Sequence, residues 1–321
     1  MKQPPIPSFR LIRLWALVGL AATGWAQEHG DLHGDLPTSE RVLFSVAPFR
    51  LAERITATDE VGLPITTDSP KAQAFFNQGL AFLYGGWPQE AERSFQTAGL
   101  ADPDSLLPQW GVAVSRLLRD PAEAVLWLDG LVESRRRADE RGAKPTAVER
   151  ALLSALPSAR TVASADAKVW RTHMHAKLRA AIVALPQEAE LKAMLASLLS
   201  DGWHPWLKEL GESPDRVLAL IAEVAAARPD HPAPRFGLRL WANGLRHDPY
   251  HTKKKYFDAG NLGLSPAFAA HWSLAGRYLA ERGSYGSALQ YSEMAVRIQH
   301  RWAERQQLAP DQLPDYARHR A

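Results

Sequence analysis

Small and aromatic side chains recur at fixed intervals between residues 72 and 104, and this spacing restricts the fold more than any other feature of the chain. The small residues are Gly79, Ala91 and Ala98, and the aromatic ones are Phe75, Phe82 and Phe95. Small residues let two antiparallel helices approach closely, while aromatic rings fill the space between them. The spacing therefore predicts a helical hairpin. Such a hairpin cannot bury its apolar face alone, so it also predicts neighbours stacked upon it.

A second register of the same kind lies near the end of the chain, over residues 269–300. Its matching residues are Trp272, Gly276, Ala288 and Ala295, with a turn at Gly283 to Tyr285. Leu279 and Ser292 stand where the first unit has aromatic rings, so this match is partial.

Helix-start signals punctuate the region between the two units. The hydroxyl or carboxylate N-caps before a proline are Ser69-Pro70, Asp120-Pro121, Ser213-Pro214 and Ser265-Pro266. Thr146 with Glu149 forms a capping box. Three degenerate pairs are predicted: Leu106–Leu118 with Pro121–Arg136, Thr146–Leu156 with Ala165–Leu185, and Glu188–Ser200 with Pro214–Ala227. No segment shows the alternation and turns of a sheet. The prediction for residues 68–321 is all-α.

The first 26 residues have the pattern of a secretory signal. Basic Lys2, Arg10 and Arg13 precede a short apolar run that ends in small residues, with cleavage expected after Ala26. An uncleaved anchor is the alternative. Residues 27–67 lack helical periodicity and are interpreted as an extended or partly ordered arm. A periplasmic or secreted location is expected, without stable membrane insertion after cleavage.

Charge and composition exclude several functions. Without the three basic residues of the signal, Lys plus Arg falls from 38 to 35 and equals the 35 acidic residues. Nucleic-acid binding, which needs a clustered positive field, is therefore not expected. The chain has no cysteine, which rules out thiolate chemistry and disulfides. It also lacks nucleophile-elbow, phosphate-loop and HExxH motifs, so we expect no enzyme activity and no cofactor.

Several short stretches carry a resemblance to a known family. They are residues 64–70, 72–73, 76–80, 91–95, 102–104, 110–111, 229–232, 310–313 and 316–317. Together they resemble a group of exported bacterial tetratricopeptide-repeat (TPR) proteins, and the unit 72–104 follows the TPR pattern except at Gln78, where leucine is usual. The resemblance implies an α-solenoid of antiparallel helix pairs without catalytic activity.

Two departures from this group bear on function. Relatives are His-rich where this chain reads Phe236 to Trp241 and Ser273 to Tyr278, which weakens any metal role at those stretches. The resemblance also implies further helices after residue 317, so the chain is interpreted as a short form. A degenerate chain with residual function is a third hypothesis.

The preferred hypothesis is an interaction scaffold whose concave face binds a protein or peptide segment. In such units the first helix of each pair lines the groove, which points to Gln73, Phe76, Leu80 and Arg277.

The alternative is a metal-binding protein or metal-dependent enzyme. After cleavage at Ala26, His29 becomes the third residue, and a free amine with histidine at that position can hold Cu(II) or Ni(II) in a square-planar nitrogen set. His33, His247 and His251 are further candidate ligands, for zinc as well.

Overall fold

The computed structural model describes residues 51–55, 61–164, 166–200, 204–229, 231–233, 236–237 and 268–306, with side chains from 207 onward in the fourth range. All of these lie in one compact unit of the chain. The expected signal, the N-cap at Ser265, and the candidate ligands His29, His33, His247 and His251 lie outside them. Within the described ranges, no helix combines the length and apolarity needed to cross a membrane.

Every regular element of the described chain is a helix. The helices are α1 (Pro70–Tyr84), α2 (Pro88–Ala101), α3 (Leu106–Arg119), α4 (Pro121–Glu140), α5 (Ala147–Ala155), α6 (Ala159–Ser164), α7 (Ala167–Ala184), α8 (Ala189–Ser200), α9 (His204–Glu209), α10 (Pro214–Ala227), α11 (Ala269–Glu281) and α12 (Tyr285–Gln306).

The four predicted caps that lie in the described chain each begin a helix. Side-chain oxygens of Ser69, Asp120 and Ser213 each accept a backbone N–H of the first turn, with proline at the start of the helix. Thr146 and Glu149 form both bonds of the capping box that opens α5. These side chains bond amide groups that have no partner within the helix, which fixes where each helix begins.

The predicted helix pairs are confirmed. Helix α1 packs on α2, α3 on α4, α8 on α10, and α11 on α12. Helix α5 packs on α7, as predicted. The short helix α6 lies between them in the chain and packs on α4. The sequence predicts neither α6 nor α9. The first helices of successive pairs also contact each other, α1 with α3 and α3 with α5. This part of the chain is a TPR-like α-solenoid.

Three helical glycines, Gly79, Gly111 and Gly276, lie where another helix comes close. A Cβ built on Gly79 would lie 2.6 Å from the Phe95 ring, and one on Gly111 would lie 2.4 Å from the same ring. In the last pair, a Cβ on Gly276 would lie 3.0 Å from Oγ of Ser292. The two contacts, Gly79 with Phe95 and Gly276 with Ser292, join residues at the same separation in sequence. Because both contacts form, the predicted register of both units is confirmed.

Helix α1 is enclosed more fully than the first helix of an open solenoid would be. The rings of Phe82 and Phe268 meet edge to face at 5.7 Å, and those of Trp87 and Trp302 lie 5.3 Å apart. The first and last described pairs are therefore in contact. Tyr84 at the end of α1 also meets Phe236 edge to face at 5.7 Å. Helix α1 is thus covered on several sides.

Candidate functional site

The described parts of the N-terminal arm lie extended against the helices. Buried and exposed residues alternate in its second part: Val61, Leu63 and Ile65 are buried, and Gly62, Pro64 and Thr66 are exposed. In the first part, Ala52 is buried between exposed neighbours. This two-residue period is that of an extended strand with one face on a surface. Here the surface is helical, so the arm lies on the helix pairs as a peptide ligand would.

Gln73 of α1 holds the second part of the arm through main-chain groups. Its Nε2 donates to the carbonyl oxygen of Leu63 at 2.8 Å, and its Oε1 accepts the N–H of Ile65 at 2.9 Å. The carboxamide therefore brackets Pro64 with one donor and one acceptor, as a neighbouring strand would. Asn77 accepts a second bond from Nε2 at 2.8 Å and orients the amide.

Gln78, five residues later on α1, repeats this arrangement for the first part of the arm. Nε2 donates to the carbonyl oxygen of Glu53 and Oε1 accepts the N–H of Ile55, both at 2.9 Å. The same amide also contacts the Arg54 guanidinium at 3.0 Å and Oγ of Ser94 at 3.2 Å. We call Gln73 and Gln78 the glutamine clamp.

Other helices hold the arm at further points. The Glu149 carboxylate accepts the N–H and the hydroxyl of Thr66, both at 2.6 Å. Arg228 donates to the carbonyl oxygen of Gly62 at 3.2 Å, and Oγ1 of Thr97 accepts the N–H of Ala52 at 2.9 Å. The arm is therefore attached to α1, α2, α5 and the residue after α10.

Glu149 also closes the α5 capping box by accepting the Thr146 N–H at 2.6 Å, so Glu149→Gln should weaken two features at once. A carboxamide has one accepting oxygen where the carboxylate has two, so the bonds to the replaced oxygen are lost, and we expect a loss of about 1–2 kcal/mol of unfolding free energy, measured by urea denaturation. Glu140→Gln, on the exposed end of α4, is the control and should change stability by less than about 0.5 kcal/mol. Equal effects of the two substitutions would contradict this role.

The predicted groove residues have different environments. Gln73 contacts the extended segment directly. Phe76 and Leu80 are each 0% exposed, and the Phe76 ring packs on Phe95 with centroids 5.4 Å apart. These two are core residues, so their assignment to a groove surface is corrected: no partner can reach them in this structure. Arg277 is exposed on α11.

In the sequence, Gln78 stands out only as a departure from the repeat pattern. It is 1% exposed, and a polar side chain at a core position must find hydrogen-bond partners. That departure was the available signal for the clamp. The alternation of Val61, Leu63 and Ile65 was a second signal, but it is too short to stand out from loop sequence.

A buried polar cluster joins α1 and α8 to the short segment 231–233. The Tyr84 hydroxyl donates to Oε1 of Glu190 at 2.5 Å, and Nε2 of His231 lies 3.4 Å from Oε2. Nδ1 of His231 accepts the N–H of Ala233 at 3.0 Å, which leaves Nε2 to face the carboxylate. The cluster connects elements distant in sequence and is enclosed by them.

In this cluster the negative charge stays on the Glu190 carboxylate. Burial alone would raise the pKa of the Glu190 carboxyl, but His231, the Tyr84 hydroxyl and Arg228 together lower it below its ordinary value. Burial and the Glu190 charge raise the pKa of Tyr84 well above its usual value. The proton therefore stays on the tyrosine oxygen, and the cluster is a fixed ion-dipole contact.

Glu90 of α2 has the opposite shift. Burial raises the pKa of its carboxyl, an effect that the Arg93 guanidinium 3.4 Å away and the Trp302 indole only partly offset. The folded state therefore holds this proton at pH values where the unfolded chain has released it. The free energy of unfolding therefore falls as the pH rises from 4.5, the ordinary pKa of a glutamate carboxyl, through the raised pKa of Glu90.

Glu90→Gln removes the cost of burying a charged carboxylate, so the variant should be more stable than the parent at pH 7. The difference should shrink as the pH falls toward 4.5, the ordinary pKa of a glutamate carboxyl. Urea denaturation across this pH range measures it. Glu133→Gln is the control, since the exposed Glu133 carboxyl has a pKa lowered by Arg136 and should give no gain at pH 7. A destabilised Glu90→Gln at pH 7 would contradict the assignment.

The described histidines do not assemble a metal site. In the described part of the chain, no group of three or more His, Asp or Glu residues is placed to hold a metal ion. His175 instead contacts the Glu212 carboxylate at 2.8 Å, beside Arg179. Copper binding at His29 stays a prediction, which copper titration of the mature protein tests against His29→Ala.

No family model and no curated protein matches the chain. Among solved structures, MamA from residue 41 to its end, from Desulfovibrio magneticus RS-1, is 13% identical over 73% of this chain and 98% of its own, with a TM-score of 0.22. YrrB, described as a TPR protein with an unusual peptide-binding site, is 14% identical over 71% of this chain and 86% of its own, with a TM-score of 0.23. Superpositions this poor add nothing to the fold assignment, which rests on the helix pairs and their contacts.

Proposed function

We propose that this protein is a non-enzymatic scaffold of the cell envelope that binds an extended segment of a partner protein. The observation that carries the proposal is the glutamine clamp. Two side-chain amides of one helix hold main-chain groups of the chain's own extended arm, as they would hold a peptide, and apolar side chains of the arm are buried against the helices. Helical repeats with such a surface are suited to recognition rather than to chemistry.

The cell-envelope location rests on the first 26 residues. Their basic start, short apolar run and small residues before the expected cleavage point fit a secretory signal. Cell fractionation followed by N-terminal sequencing tests this part of the proposal, with a mature chain beginning at Gln27 as the expected result. A chain that keeps residues 1–26 and stays in the cytoplasm would refute it.

The binding part is tested with the full chain carrying a photo-crosslinking amino acid at Arg277, which is exposed on the first helix of the last described pair. The control position is Arg135, exposed on the second helix α4. We expect adducts with a specific envelope protein from position 277 and none from position 135. The purified partner should then bind saturably. The absence of adducts from position 277, with folded bait, would count against a scaffold.

A further inference from the structure

We infer that the glutamine clamp is an exchangeable peptide site: the chain's own arm occupies it as an internal ligand, and an extended partner segment with apolar residues at alternate positions takes the arm's place. This inference rests on the proposed function and names the chemistry of the partner. The arm indicates that chemistry, because it shows which peptide features the site accepts.

The clamp contacts main-chain atoms, which every peptide has. Each carboxamide bonds the carbonyl oxygen before one residue and the N–H after it, so it brackets that residue through main-chain atoms, and at Gln78 the Arg54 guanidinium adds one side-chain bond. The two bracketed residues are Arg54 and Pro64, which differ in charge, shape and hydrogen-bonding capacity, and both are exposed. Proline is accepted because the bracketed residue's own N–H is not used.

The inward side chains define the apolar part of the pattern. Val61, Leu63 and Ile65 belong to the hydrophobic core, with exposed residues between them. Burying such side chains stabilises the bound segment, because it removes apolar surface from water. A ligand should therefore have three apolar residues at every second position, whereas its intervening residues are free to vary.

The arm can leave without breaking the helices. Helix α1 keeps its own backbone hydrogen bonds, and the clamp uses only side-chain amides, which water can satisfy when the arm departs. Only residues 67–69 separate the second part of the arm from α1. So short a tether gives an effective local concentration in the millimolar range, and a partner segment must compete with it.

The test uses full-length variants and a labelled peptide with the sequence of residues 51–67. In the arm variant, Leu63→Asp with Ile65→Asp removes the arm from the helices and leaves the clamp intact. We expect this variant to bind the peptide saturably and at least 10-fold more tightly than the parent chain, whose site is occupied. Adding Gln73→Leu and Gln78→Leu to the arm variant should weaken binding at least 10-fold. A peptide of equal composition without the alternation is the control.

Hydrogen exchange of the parent chain provides an independent measurement. We expect the amides of Ile55, Ile65 and Thr66 to exchange by local opening, much faster than the amides of α3. Exchange as slow as that of α3, or loss of helical structure in the arm variant, would make the arm a permanent part of the fold and overturn the inference. Peptide binding unaffected by the clamp substitutions would also overturn it.

Two further outcomes separate the hypotheses. A stable complex between the arm variant and a parent chain, with no binding of free peptide, would assign the site to a second copy and overturn a partner segment. Adducts at position 277 together with a non-exchanging arm would leave the proposed scaffold standing and refute only this inference.

Discussion

Phe95→Ala is expected to lower the unfolding free energy by about 3–5 kcal/mol, the range found when a large buried aromatic is truncated. The Phe95 side chain is fully buried between Gly79 and Gly111 and packs on Phe76. It joins the first helix pair to α3, so its removal leaves a cavity at the contact between two repeats. Urea denaturation followed by circular dichroism measures the loss.

Tyr285→Ala is the matched aromatic control, because Tyr285 is 73% exposed at the start of α12. Its effect should stay within about 0.5 kcal/mol. A cost for Phe95→Ala close to that of Tyr285→Ala would mean that the repeats are not held together at this ring.

Gly111→Ala should cost about 1–3 kcal/mol through overpacking. The added methyl would lie 2.4 Å from the Phe95 ring, and the room for that ring to shift is limited because it also lies against Gly79. Either the helices separate or the ring leaves its preferred rotamer. The same denaturation experiment measures the result.

Gly286→Ala is the control, since a Cβ at this position in α12 meets nothing within 4 Å. It should gain up to about 1 kcal/mol from the higher helix propensity of alanine. Phe95→Leu should also relieve much of the Gly111→Ala penalty, because a smaller side chain leaves room for the methyl. Additive effects of these two substitutions would refute the steric explanation.

The helix pairs could be predicted because their determinants are local. The interval from Gly79 to Phe95 spans one hairpin, and caps such as Ser69 and Thr146 act within a single turn. Intervals of this kind survive in a single sequence even where the repeat has degenerated, as at Gly276 and Ser292.

The enclosure of α1 and the docking of the arm could not be predicted in the same way. Tyr84 meets Glu190 across 106 positions of the chain, and Gly62 meets Arg228 across 166. The periodicity of the sequence carries no information about contacts between residues so far apart. Phe76 and Leu80 were assigned to a surface because the first helix of a regular solenoid is open on one side, and here that side is covered.

The distant contacts of Tyr84 and Trp87 also bear on how the chain folds. In a simple repeat array each unit depends on its neighbours, so the molecule can unravel from one end. Here Tyr84 bonds Glu190, and Trp87 of the first pair meets Trp302 of the last described pair, so these contacts form only after most of the described chain has been made. Distant contacts of this kind slow folding and join the first and last described pairs, so the described helices should unfold together rather than repeat by repeat.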